Sequence, residues 1–167
     1  LGIKYRLPEL SIGQFAIDWQ TSYLSKYDEE TQNGEGNTVM QGRVGDAGLF
    51  RVRSNVGITW SRGDFGVSYM ARYYSGMKED CVAARPCTLP DRYVDGDAMP
   101  IRKTGSNTFH DLQVSYNAPW DATIAVGANN LFDKQGPIMF TQPNSSFAYY
   151  GGFDIGRFLY MKYTQRF

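Results

Sequence analysis

The chain lacks any long hydrophobic run: nowhere do about 18 apolar residues follow one another, so no segment can cross a bilayer as a helix. It lacks net charge, with 17 Lys plus Arg against 17 Asp plus Glu, which removes the electrostatic case for binding nucleic acid. Cysteine falls to two residues and histidine to one, too few soft or imidazole ligands for a metal centre. The first residues, LGIKYRLPEL, have neither the charged head nor the apolar stretch of a secretory signal. An exported protein of this sequence is therefore expected to have lost its start by processing, or to be part of a longer chain.

What is abundant is aromatic and small. Twelve Tyr, ten Phe and three Trp make up 15% of 167 residues, beside 18 Gly, while the mean hydropathy is negative. The length suffices for one domain. Amphipathic rings replace the aliphatic residues of an ordinary core, a mixture that suits short strands with one half-wet face.

Period-two alternation recurs along the chain. From Phe15 to Tyr23 the odd positions Phe15, Ile17, Trp19, Thr21 and Tyr23 oppose Ala16, Asp18, Gln20 and Ser22. From Phe50 to Ser61, Phe50, Val52, Val56, Ile58 and Trp60 oppose Arg51, Arg53, Asn55, Gly57 and Thr59. The stretch SRGD then turns the chain, and Phe65, Val67, Tyr69, Ala71 and Tyr73 return against Gly66, Ser68, Met70 and Arg72. A second hairpin is predicted from Phe109–Asn117 through NAPWD into Ala122–Asn130. With IKYRL at the start and a strand after Gly152, about seven strands are expected, each near the length a tilted membrane strand needs. The last of them puts Leu159, Met161, Tyr163, Gln165 and Phe167 on one face, and Phe158, Tyr160, Lys162, Thr164 and Arg166 on the other.

Connections alternate too. Pro8–Gly13, Ser61–Asp64 and Asn117–Asp121 are short, whereas Ser25–Leu49, Ser75–Asn107 and Asp133–Gly151 are long. Long loops without structure count against a compact soluble domain, but short turns on one rim and long loops on the other are the layout of an outer-membrane barrel. Trp19, Tyr23, Phe50, Trp60, Phe65, Tyr73, Tyr116 and Trp120 fall near proposed strand ends, where aromatic girdles would lie. The inferred apolar face, with Val52, Val56, Ile58, Val67, Tyr69, Leu112, Val114, Ile124 and Val126, would meet lipid. Arg51, Arg53, Asn55, Ser68, Arg72, Gln113 and Ser115 would face the lumen.

The segments GIKYRLPEL, GQFAIDWQTSYLSKYD, HDLQVSYNAPW and TIAVGANNLFDK, together with a terminal Phe167, resemble the C-terminal part of the TonB-dependent outer-membrane receptors. That resemblance covers nearly the whole chain, and GANNLFDK with Phe167 is its most specific part. It implies an all-β fold, a transmembrane antiparallel β-barrel of about 22 strands of which these seven form the C-terminal third. It also implies an N-terminal plug and a TonB-binding segment, neither of which is visible in these residues. The implied activity is import of a scarce nutrient (siderophore, cobalamin, oligosaccharide or peptide) across the outer membrane of a Gram-negative bacterium. The implied partners are lipid, the plug and remaining strands, TonB, and the barrel-assembly machinery, which would read Tyr163 and Phe167 as a signal; Gln165 departs from that signal's apolar alternation. No enzymatic activity and no cofactor are implied.

Several side chains invite a chemical role. Tyr27, Asp28, Tyr93, Asp95, Tyr149 and Tyr150 lie in the long loops and are candidates to stack on and hydrogen-bond a solute, or simply to anchor loops. Arg51, Arg53 and Arg72 would meet plug carboxylates or an anionic ligand. Cys81 and Cys87 are either free thiols or a small disulfide loop, and export through an oxidising compartment favours the disulfide. DRYVDGDAMP does not match a calcium loop and reads as a solvated turn, and YDEET as a hydrated loop. Asn144 begins a formal glycosylation sequon that a bacterial context makes void. His110 and Asp111, being adjacent on a strand, point to opposite faces and cannot cooperate as in a hydrolase triad. Two other architectures compete: a self-contained small barrel, which requires closure within these residues, and a soluble carbohydrate-binding sandwich, which requires the apolar faces to pack on each other.

Overall fold

The computed structural model describes residues 1–32, 35–46, 48–78, 88–94, 97–100, 103–136 and 156–166, with 88–94 and 97–100 by backbone alone. Every regular element among them is a strand: β1 (Gly2–Arg6), β2 (Gln14–Tyr23), β3 (Asp28–Gln32), β4 (Thr38–Gly42), β5 (Val52–Arg62), β6 (Phe65–Tyr74), β7 (Thr88–Val94), β8 (Asp97–Pro100), β9 (Asn107–Ala118), β10 (Ala122–Asn129) and β11 (Phe158–Gln165). Seven form one antiparallel sheet in the order β1-β2-β5-β6-β9-β10-β11, a meander without crossovers. These are the seven strands the alternation predicts. The sheet is not closed into a barrel, since β1 pairs with β2 alone and β11 with β10 alone.

The remaining four strands correct two expectations. YDEET does not stay a plain hydrated loop: Asp28–Gln32 pairs with Thr38–Gly42 as a hairpin inside the first long connection. DRYVDGDAMP likewise contributes to both β7 and β8 in the second. Neither segment carries apolar alternation because their ladders rest on backbone hydrogen bonds, which leave no mark in side-chain polarity.

Register fixes the faces. Ile17, Ile58, Tyr69, Leu112, Ala128 and Leu159 follow one another across β2, β5, β6, β9, β10 and β11. So do Phe15, Trp60, Val67, Val114, Val126 and Met161. On the opposite face Asn55 pairs with Gln20 and Arg72, Ser68 with Thr59 and Gln113, and Thr123 with Asn117 and Thr164. Because the side-chain period is two, a slip of one residue in any ladder would break these rows; none does. Among the described elements each strand contacts only its sheet neighbours, so no second layer covers the apolar face.

Two of the expected girdle residues sit elsewhere. Trp19 is mid-strand, paired with Ile3 and Val56, and its indole N–H donates to Ser54 Oγ at 2.8 Å. Phe50 precedes β5 and turns to the other side, where it is buried against Tyr74. The chain bends at Arg51, which breaks the period that would have put Phe50 in line with Val52. Tyr23, Trp60, Phe65, Tyr73 and Tyr116 do keep the apolar parity near strand ends, and the rings of Phe65 and Tyr116 lie 5.1 Å apart.

Short turns close the other rim tightly. Gly13, at φ 118°, brings the first turn against the end of β5, where the Trp60 indole donates to the Ile12 carbonyl at 2.8 Å. A Cβ at Gly13 would sit 2.5 Å from the Ser61 carbonyl oxygen, so only glycine permits this approach. Near the chain's far end, Gln165 keeps the apolar parity yet spends its amide fully, donating to Trp120 O at 2.9 Å and accepting from Tyr163 Oη at 2.5 Å. A polar residue at this position is satisfied locally, at the strand's end.

Candidate functional site on the polar face

Arg72 on β6 and Asp111 on β9 are diagonal neighbours, since Arg72 pairs with Phe109 and Met70 with Asp111. Their side chains meet in a two-pronged bond, Nε to Oδ2 at 2.9 Å and Nη2 to Oδ1 at 2.8 Å. Planar guanidinium and carboxylate match in this geometry, which fixes orientation as well as charge. Arg72 is 7% exposed, and its guanidinium also lies 5.7 Å from the ring centre of Phe109, which is 0% exposed.

Asp111 has a second partner, which explains the segment NNLFDK. Its Oδ1 accepts the Asn130 backbone N–H at 2.8 Å. Asn130 takes φ 51°, a left-handed conformation that asparagine tolerates better than most residues, and its side chain both donates to Lys134 O and accepts from Lys134 N. Asp133, at φ 54°, then accepts the Arg157 backbone N–H at 2.7 Å. One aspartate thus pins the exit of β10 and the other joins that exit to the approach of β11. The third long connection therefore leaves and returns at one place.

Toward the same rim a chain of rings lies over the polar face. Phe50 and Tyr74 are 5.0 Å apart, Tyr74 meets Phe109 edge-on at 6.0 Å, and Arg53 stands 4.9 Å above Phe50. Arg53 also donates to Gly48 O at 2.5 Å, tying the first connection down onto β5. Further along the face, Tyr160 on β11 lies across Gly127 and donates to Gln113 Oε1 at 3.1 Å, two strands away.

Two grooves open on this face beside β1. One, of about 660 Å³, is lined by Lys4, Asp18, Gln20, Arg53 and Asn55. The next, of about 540 Å³, is lined by Arg6, Gly57, Thr59, Ser68 and Met70 among others. Both are open; the first mixes polar and apolar lining, the second is more apolar, with Tyr5, Ile17 and Met70 beside its polar groups, and Lys4 pairs with Asp18 at 3.2 Å at their border. Such a surface can hold water, hydroxylated solutes or a polar protein segment; no catalytic constellation is present among the described residues.

The structure brings together only part of the expected site. Arg53 and Arg72 share the polar face as anticipated, but Arg51 lies outside β5 and reaches Tyr23 Oη at 3.5 Å, away from them. Tyr27 is exposed, and its carbonyl accepts Arg43 N at 2.8 Å; Asp28 pairs with Lys26 at 2.8 Å. That bond and charge raise the pKa of Lys26 above its ordinary value. Tyr93 lies in β7, while Asp95, Tyr149, Tyr150, Cys81, Cys87 and Phe167 fall outside the described residues. Tyr163 is exposed on the apolar face. His110 is on that face too, stacked with Tyr69 and sharing a 2.5 Å hydrogen bond with its hydroxyl, opposite in direction to Asp111.

Phe109, Tyr74 and Asn130 are residues that sequence reasoning passes over, and it weighs Asp111 only against His110, not against Arg72. Their signal was available in part: once β6 and β9 are neighbours, Arg72 and Asp111 must share a face. No family model matches the sequence, and neither a curated protein nor a solved structure matches it.

Proposed function

We propose that this chain is a membrane-spanning portion of an outer-membrane β-barrel, and within that class part of a TonB-dependent nutrient importer. The observation that carries the barrel reading is the apolar face, whose rows run across the sheet with no second layer over them among the described elements. Six of the seven strands run eight to twelve residues, about the length that crosses a hydrocarbon layer when tilted. Lipid is the one cover that asks for neither a second sheet nor a helix. The opposite face, with its grooves and paired charges, suits a wet lumen.

Two rivals fare worse. A soluble sandwich needs a facing sheet against the apolar rows, and none is present among the described elements. Parity speaks against a small self-contained barrel: in the described antiparallel meander of seven, first and last strands run the same way, so β1 and β11 cannot close that sheet antiparallel. Both edges then require further strands, because lipid does not tolerate unpaired backbone. The importer assignment rests on the likeness of GANNLFDK and its neighbours to TonB-dependent receptors, and on long connections gathered at one rim. In that reading the plug and the TonB-binding segment belong to the rest of the protein, TonB is a separate partner, and the solute enters through the long-connection rim.

Spin labels at Val56 and Val67, in protein recovered with the outer membrane of a Gram-negative cell, test it. The labels are expected to be open to lipid-soluble oxygen and closed to a water-soluble nickel chelate. Water access at both positions sinks the barrel reading, and solute uptake that persists without the inner-membrane proton gradient sinks the importer alone.

A further inference from the structure

The bases of the first two long connections meet at one buried aspartate. Asp46 is 6% exposed and receives two cations from different places: Lys78 Nζ at 3.2 Å, from the start of the second connection, and Arg43 Nη1 at 3.5 Å, from its own. Arg43 in turn reaches Glu29 on β3 at 3.0 Å, and its backbone N–H donates to the Tyr27 carbonyl at 2.8 Å. The result is a line of alternating charges, Glu29, Arg43, Asp46, Lys78, running from the β3–β4 hairpin into the second connection.

Backbone bonds lock the same junction. Lys78 N donates to Gly45 O at 2.7 Å, Asp46 bridges Lys78, and Lys78 bridges Lys103. One residue away, Met77 is buried and clasps Thr104 from both sides, through Met77 N to Thr104 Oγ1 at 2.9 Å and Thr104 N to Met77 O at 2.7 Å. The second connection thus leaves and returns at Met77 and Thr104, beside the spot where the first is folded against Asp46.

We infer that Asp46 couples the two connections, so that the β3–β4 hairpin and the start of the second connection order and loosen as one unit. A side chain that merely filled space would not need opposite charges from both partners, and burial makes the carboxylate dependent on both. The consequence is a device by which contact at either connection is felt at the other, whatever solute or segment makes it. The inference does not depend on the importer reading.

Coupling is reciprocal, which makes it testable without knowing any ligand. Amide hydrogen exchange is followed in the purified full chain. Lys78→Met is expected to speed exchange at Arg43 N, on the far side of Asp46, by roughly tenfold, and Arg43→Met is expected to speed Lys78 N by a similar factor. Asp46→Asn should loosen both. The Ile58 and Tyr69 amides of the central ladder should hold in all three, which shows that the sheet is intact. The inference is overturned if, with that ladder intact, either remote amide stays within about twofold of the unaltered protein, or if the two remote effects differ by more than about tenfold.

Discussion

On one face of the sheet Leu159, Met161 and Val126 stand 70%, 74% and 49% exposed, while on the other Phe109 is at 0% and Arg72 at 7%. In most domains the apolar side carries the core. Burial here comes from the long connections folding back onto the polar face at one rim. On the apolar side the described connections make local contacts, such as Phe132 against His110 at 5.1 Å and the Ile12 carbonyl on the Trp60 indole. The difference teaches that the two faces are built differently: one is held through paired charges and buried rings near the long-connection rim, the other by apolar rows in which polar groups such as His110 and Gln165 are satisfied locally.

The polar face is where a single change should do most harm. Asp111→Ala removes one partner of a buried ion pair together with the acceptor for Asn130 N–H, and is expected to lower stability by about 3 to 5 kcal/mol. Chemical denaturation of the refolded protein reads this loss. Changing both partners, Arg72→Met with Asp111→Leu, should recover much of it; a double variant as weak as the single one would place the whole effect in the Asn130 turn.

Arginine placed on either face sharpens the contrast. Val126→Arg, in the middle of β10, should cost about 2 to 4 kcal/mol when the protein is refolded into lipid, whereas Thr59→Arg on the polar face should stay within about 0.5 kcal/mol. Equal small effects at both positions would mean that the apolar face meets water, and the comparison would collapse.

The smallest effect belongs to the exposed rim. Asp28 raises the pKa of Lys26 above 10.5 by hydrogen bond and charge, so any contribution of the pair is fully present below 10.5 and is lost only as pH rises through the raised value. Lys26 is fully exposed, so Asp28→Asn is expected to leave the unfolding midpoint at neutral pH unchanged. A clear drop at neutral pH would show that the β3–β4 hairpin depends on this pair.

The sequence made the sheet legible because strands with two different faces write a period of two into the chain, and short turns between them are marked by Gly63, Pro119 and Asp121. Six of the seven strands carry that pattern over eight residues or more, enough to outweigh any single exception such as Gln165. Phe50 misleads because alternation cannot register a bend one residue later, at Arg51. The β3–β4 and β7–β8 hairpins escape notice because backbone pairing needs no particular side chains. The site was less legible still: Arg72 and Asp111 are far apart in the chain, and their meeting depends on which strands become neighbours. That Asn130 and Asp133 adopt left-handed conformations belongs to the turn they make, and the letters NNLFDK signal a turn without saying what it holds.

The meander order has a consequence for how the molecule is built. Every ladder in the main sheet joins strands consecutive within it, so the sheet can grow strand by strand, with nothing threaded and no earlier pair undone. What differs between additions is the length of chain that must be looped out, from the two residues between β5 and β6 to the long stretch between β6 and β9. Loop closure rises only logarithmically, by about 0.6 kcal/mol for each doubling of length. Long connections therefore add little to the free energy of assembly, and the rim that carries them is free to lengthen and diversify while the sheet beneath keeps its order.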